Sequence, residues 1–113
     1  MVVSVDAGGM FTLRIEHQIS DFDTWRGAFD RFAEIRLRSG VRSLAIRQPI
    51  DDPAQVLIDL DFDTVNQAEA FLDFLRTRVW VNRDNSPALI GAPTTRILEV
   101  RGVEPIVSSG GRP

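Results

Sequence analysis

The chain carries one histidine, His17, and no cysteine, lysine or tyrosine, so its options for side-chain chemistry are few. Composition excludes thiol nucleophiles, cysteine-held zinc, iron–sulfur clusters, disulfides and a lysine Schiff base. A site with two histidine ligands in one subunit is excluded as well. His17 is the side chain whose ordinary pKa, about 6.5, lies near neutrality. It is the candidate catalytic residue, as general base or as donor to a substrate oxygen; the plainer reading is a satisfied core histidine. Phe22 and Trp25 follow closely, and Trp80 opens a polar stretch with Asn82, Arg83 and Asp84. An aromatic among polar groups on a loop commonly walls a ligand pocket, which makes Trp80 and Asn82 candidate substrate-binding residues, with Phe22 and Trp25 as further apolar walls. Against that, Trp25 reads as core packing and Trp80 as a loop anchor. Arg42 shares a strand face with Leu44, Ile46 and Gln48. Its guanidinium could receive an anionic or carbonyl oxygen there, or snorkel out at the sheet edge. Asp51-Asp52-Pro53 is ordinary turn chemistry, and no EF-hand, P-loop or dinucleotide motif is present, so no metal is assigned and no cofactor is expected.

These residues need elements to position them. Phe11, Leu13, Ile15, His17 and Ile19 alternate with Thr12, Arg14, Glu16 and Gln18, the period of a half-buried strand. Ser20 or Asp21 can cap a helix, along which Phe22, Trp25, Phe29, Phe32 and Leu37 recur at roughly helical spacing. Arg36 and Arg38 fall in its last turn and Gly40 ends it. Val41–Gln48 reads as a second strand, PIDDP (49–53) as a turn, and Val56–Phe62 as a third strand. Thr64 and Gln67 form a capping-box pattern before the stripe Ala68, Phe71, Leu72, Leu75 and Val79. Trp80–Pro93 reads as a loop and Thr94–Arg101 as a fourth strand. The order βαββαβ predicts a ferredoxin-like α+β fold, with a four-stranded antiparallel sheet covered on one face by two helices. Asp21-Phe22-Asp23-Thr24 recurs as Asp61-Phe62-Asp63-Thr64, a minor internal echo.

A length of 113 residues suits one domain, read as 10–103 with a flexible arm at 1–9 and a flexible tail at 104–113. The first nine residues do not resemble a secretory signal, and no apolar run is long enough to span a membrane. The cytoplasm is the expected compartment, with no membrane partner. A net charge of −3 argues against nonspecific nucleic-acid binding, which needs clustered positive charge. The uncovered sheet face is expected to carry Arg14, Glu16, Asp59 and Asp61, with opposite charges on neighbouring strands.

The run His17-Gln18-Ile19-Ser20-Asp21-Phe22-Asp23-Thr24-Trp25, with the later Asp51-Asp52-Pro53, Val56–Phe62 and Ala68–Phe71, resembles the dimeric α/β-barrel superfamily. That group includes antibiotic biosynthesis monooxygenase-like and muconolactone isomerase-like proteins. The resemblance implies a homodimer whose two sheets face each other as a barrel, and a pocket in each subunit between sheet and helices. It implies a monooxygenase-like or cyclase/isomerase enzyme acting without a bound metal on an enolisable aromatic or polyketide-like small molecule. A non-catalytic ligand-binding or accessory homodimer is the alternative. Haem-degrading relatives use an Asn, Trp and His set, and Asn82, Trp80 and His17 are of those types, without a positional match to that motif.

Overall fold

The computed structural model describes residues 10–107. The expected arm at 1–9 lies outside the described residues, as does the tail beyond 107; residues 104–107 are exposed and without regular structure. Strands β1 (Phe11–Ile19), β2 (Ser43–Arg47), β3 (Gln55–Phe62) and β4 (Leu89–Glu99) form one antiparallel sheet in the order β2-β3-β1-β4. Helices α1 (Phe22–Asp30), α2 (Ala33–Arg38) and α3 (Val65–Phe74) complete the ferredoxin-like α+β fold. The core lies between helices and sheet, where Leu13, Ile15, Val56, Ile58, Leu60 and Phe62 are buried with Trp25, Phe71 and Leu72. Parity explains which strand residues enter it. Leu13 pairs with Leu60, Ile15 with Ile58 and His17 with Val56, all on the covered face.

The opposite face is polar, as the alternation requires. Arg14 donates from Nε and Nη2 to the two Asp59 oxygens at 2.8 and 2.7 Å, and Arg47 adds a third contact to Asp59 at 3.2 Å. Thr12 and Ser43 both donate hydroxyl protons to Asp61. The sheet of one chain is open, so a barrel can exist only in a dimer.

The first helix departs from the single helix read in the sequence. It breaks at Arg31–Phe32, where the Phe32 amide turns back to the Phe29 carbonyl at 3.2 Å in a tighter turn. No proline or glycine stands at the break; the side chain of Arg36 occupies the Phe29 carbonyl instead, at 2.8 Å. Gly40 ends α2 as expected, with φ +98°, the Val41 amide donating to Arg36 O and the Gly40 amide to Leu37 O. At the start of α3, the Gln67 amide donates to Thr64 Oγ1 and the Thr64 amide to Gln67 Oε1, the expected capping box. The internal echo does not extend to the helix starts. Asp21 caps α1, whereas Thr64, three positions further along its copy, caps α3.

The fourth strand also differs. It begins at Leu89, inside the segment read as a loop, because Gly91 and Pro93 form an irregularity within an edge strand rather than a break before it. Edge strands tolerate the missing proline N–H. Gln48 straps the β2–β3 turn by donating to Pro53 O and Gln55 O.

Candidate active site

His17 stands near the end of β1, 6% exposed, with its side chain among the covered-face residues. Opposite it the β1–β4 register slips: Glu16 pairs with Thr94 but Gln18 with Ile90, so Gly91, Ala92 and Pro93 bulge past the histidine. Gly91 permits this through φ +72°. His17 Nδ1 lies 3.1 Å from the carbonyl oxygen of Gln18. A carbonyl can only accept, so the contact assigns the proton to Nδ1 and leaves Nε2 with the free lone pair. Burial pushes the His17 pKa below its ordinary value, only partly offset by the Gln18 contact, which favours the neutral ring.

A row of aromatic rings leads from it. The Trp25 ring meets His17 edge-on at 6.2 Å, stacks on Phe29 at 4.9 Å and touches Phe22 at 5.6 Å. These positions follow from the helical stripe 22, 25, 29 and 32, which faces the sheet. The stripe's next step is Arg36, not Leu37. Arg36 is 6% exposed, and Leu37, assigned to the apolar stripe in the sequence, is 73% exposed. The Arg36 guanidinium carbon lies 3.7 Å from the centre of the Phe29 ring, a close cation–π contact. Burial lowers the Arg36 pKa, but an arginine keeps its proton, so a permanent positive charge is held here.

His17, Trp25, Phe29, Arg36 and Trp80 line one cavity of about 60 Å³ between sheet and helices. Its remaining walls are chiefly apolar side chains such as Ile15, Ile58 and Leu60. After α3 the chain makes one π-helical turn, Leu75–Val79, closed by the Trp80 amide donating to Leu75 O at 2.8 Å. The wider turn carries Val79 and Trp80 to the cavity wall, and π turns are frequent at functional sites. The following segment folds over the cavity and is caged by its own polar groups. Ser86 Oγ donates to Val79 O or Asn82 O, each at 3.0 Å, and Asn85 Nδ2 donates to Arg78 O. Arg31 ties it to α1 by donating to Asp84 O at 2.7 Å.

Of the residues singled out in the sequence, the structure brings His17, Trp25 and Trp80 together, with Phe22 packed behind Trp25. Arg42 is elsewhere, exposed and ion-paired with Asp63 at 2.6 Å. Asn82 does not line the cavity; its Oδ1 accepts the Asp84 amide at 2.8 Å and shapes the turn. Asn82, Trp80 and His17 therefore do not converge as a haem-type set. Arg36, Asn85 and Ser86 line the cavity but were not among the site residues read from the sequence. For Arg36 the 3–4 spacing was the available signal. Among the described residues no cluster of histidines and carboxylates could hold a metal ion, and no helix is long and apolar enough to cross a membrane.

No protein-family model and no curated protein sequence matches the chain. Solved structures do. SnoaB, a cofactor-independent oxygenase from Streptomyces nogalater, superposes with a TM-score of 0.65 at 13% identity, over 87% of this chain and 99% of its own. A dimeric ferredoxin-like protein from an uncultured marine organism gives 0.62 at 13% identity, over 83% and 98%. A Nitrosomonas europaea protein provisionally named an antibiotic biosynthesis monooxygenase gives 0.61 at 17% identity, over 85% and 94%. The ferredoxin-like fold expected from the sequence is thus the one found, and the chain shares it with antibiotic biosynthesis monooxygenase-like proteins.

Proposed function

We propose that the protein is a homodimeric small-molecule enzyme of the monooxygenase-like or cyclase/isomerase kind, with His17 as its general base. The observation that carries this reading is a buried histidine whose Nδ1 faces the Gln18 carbonyl, which leaves the lone pair on Nε2, in an apolar cavity walled by Trp25 and Trp80. A proton on carbon beside a carbonyl moves to Nε2, leaving an enolate in the cavity. The low-dielectric walls strengthen the attraction between that enolate and the new imidazolium, while the Gln18 carbonyl, accepting from Nδ1, holds the ring in place. The enolate is then reprotonated at another atom, an isomerisation, or donates an electron to molecular oxygen, the start of an oxygenation. The SnoaB likeness supports the second branch as a general kind only.

The cavity is tighter than ligand sites of roughly 300–1,000 Å³, so substrate entry requires the segment 82–88 to give way. Homodimerisation is supported by the open, ion-paired sheet face with half-buried Leu57 and Leu98, and by the dimeric structural neighbour. A non-catalytic ligand-binding homodimer is the second reading, favoured by the burial of His17 and its contact with the Gln18 carbonyl, as in a structural core histidine.

The test is ligand-dependent thermal unfolding against planar aromatic enols and polyketide-like enones, followed by turnover of any stabilising compound. A ligand at 100 times its Kd adds about 2.7 kcal/mol. Turnover that drops about 10²–10⁴-fold in His17→Gln supports the base. Stabilisation without turnover supports the binding protein, and full turnover in His17→Gln removes His17 from the chemistry.

A further inference from the structure

Arg36 is a buried cation without a carboxylate partner among the described residues. The one contact that satisfies it is Nη1 donating to the Phe29 carbonyl oxygen at 2.8 Å. Asp30, the carboxylate whose field reaches it, is held by Arg26 at 3.0 Å. A guanidinium has five N–H donors in a planar fork, this one hydrogen bond uses a single donor, and the side chain lines the cavity. Taking such a charge out of water costs several kcal/mol unless a partner compensates. The Phe29 ring and carbonyl compensate in part, at one face and one edge of the fork.

The cavity thus has two polar ends. His17 stands at one, Arg36 at the other, and the Trp25–Phe29 stack spans the distance between them. We propose that Arg36 is a specificity-determining residue that binds the carboxylate of a planar aromatic acid, whose ring lies along Trp25 and Phe29. A carboxylate matches the guanidinium fork with two parallel hydrogen bonds, which a neutral hydroxyl cannot supply. The chiefly apolar walls favour a flat hydrocarbon body over a sugar or a phosphate ester, because the donors of the other polar lining side chains, Asn85 and Ser86, are already engaged with Arg78 O and with Val79 O or Asn82 O. Arg36 acts by anchoring: with the acid group fixed, the far edge of the ring system is presented to His17 Nε2. The assignment deepens the enzyme reading above, yet binding alone tests it.

The experiment is calorimetric titration of the full chain with benzoate and with benzyl alcohol, matched in ring and differing in charge. Wild type is expected to bind benzoate at least tenfold more tightly. Arg36→Met keeps the aliphatic stem and is expected to abolish that preference while retaining benzyl alcohol binding. His17→Gln is expected to keep the preference, which separates failure of the anchor from failure of the base. In wild type the Arg36 Nε–H resonance is expected to shift with benzoate and not with benzyl alcohol, a readout that stands even where Arg36→Met does not fold. Equal binding of the two probes, binding of neither, an Arg36 resonance that ignores benzoate, or a preference that survives in Arg36→Met each overturns the proposal.

Discussion

Arg36 lies over the ring of Phe29 at 3.7 Å and donates to the backbone carbonyl of that same residue at 2.8 Å. The two contacts account for one another. In an unbroken helix the Phe29 carbonyl would be claimed by the amide four residues on; the break between α1 and α2 leaves it a lone pair facing Arg36. The side chain turns inward rather than snorkelling out, and a charge enters the cavity wall. Helix geometry and site chemistry are therefore one feature here.

His17 couples stability to pH. Its folded pKa is depressed by burial, so the unfolded chain binds the proton more readily. The corresponding stability is fully present above the unfolded value, about 6.5, and is lost as pH falls through the folded value. Urea midpoints should decline between pH 7.5 and 5.5 in wild type, and His17→Gln should show a shallower decline. An identical slope in the two proteins would contradict a buried neutral His17.

Asp59 is the hub of the open face. Arg14 hydrogen bonding holds its carboxyl below the usual range, so its contribution is present above about pH 3.9 and lost as pH falls further. Asp59→Arg places three cations together and leaves Arg14 and Arg47 unpaired. Equilibrium sedimentation is expected to show twice the chain mass for wild type and a weakened dimer for Asp59→Arg. A wild-type monomer at micromolar concentration would leave the face simply solvated.

Gly40 and the α3 cap are mechanically linked. A Cβ at Gly40 would sit 2.6 Å from Gln67 Nε2, and its φ of +98° disfavours any L side chain. Gly40→Ala should cost about 1–2 kcal/mol from backbone strain, and Thr64→Ala about 1 kcal/mol from the lost cap. Because Gln67 serves the cap and faces Gly40, the double variant should lose less than the sum in denaturant unfolding. Strict additivity would mean that Gln67 moves aside without disturbing Thr64.

The segment over the cavity is held by Arg31. Removing its bond to Asp84 O by Arg31→Ala should leave global stability within about 0.5 kcal/mol, as is usual for an exposed contact. Amide exchange at Asn85 and Ser86 should accelerate, and Trp80 emission should shift towards the solvated value. Unchanged exchange there would show that the Ser86 and Asn85 contacts hold the segment alone.

Alternation along β1 and β3 was sufficient to face His17 inward and to put Arg14 and Asp59 on the opposite face, because a strand's period of two admits no other parity once Leu13 and Ile15 are buried; the β1–β3 register then sets the two side by side. Local chemistry was equally legible at Gly40 and at Thr64–Gln67, where the signal lies within a few residues. Three things depended on the tertiary structure. Gly91 and Pro93 look like a loop in isolation and become a bulge only when β1 pairs beside them, leaving His17 opposite. Arg42 and Asn82 are the right types for a site, but Asp63 and the Asp84 amide claim them. Arg36 sits at the fifth position of a regular helical stripe, and its charge argues for solvent; the Phe29 ring and carbonyl, available through the helix break, reverse that preference. Periodicity fixes direction from the sequence alone, whereas the partner that satisfies a polar group is a property of the assembled neighbourhood.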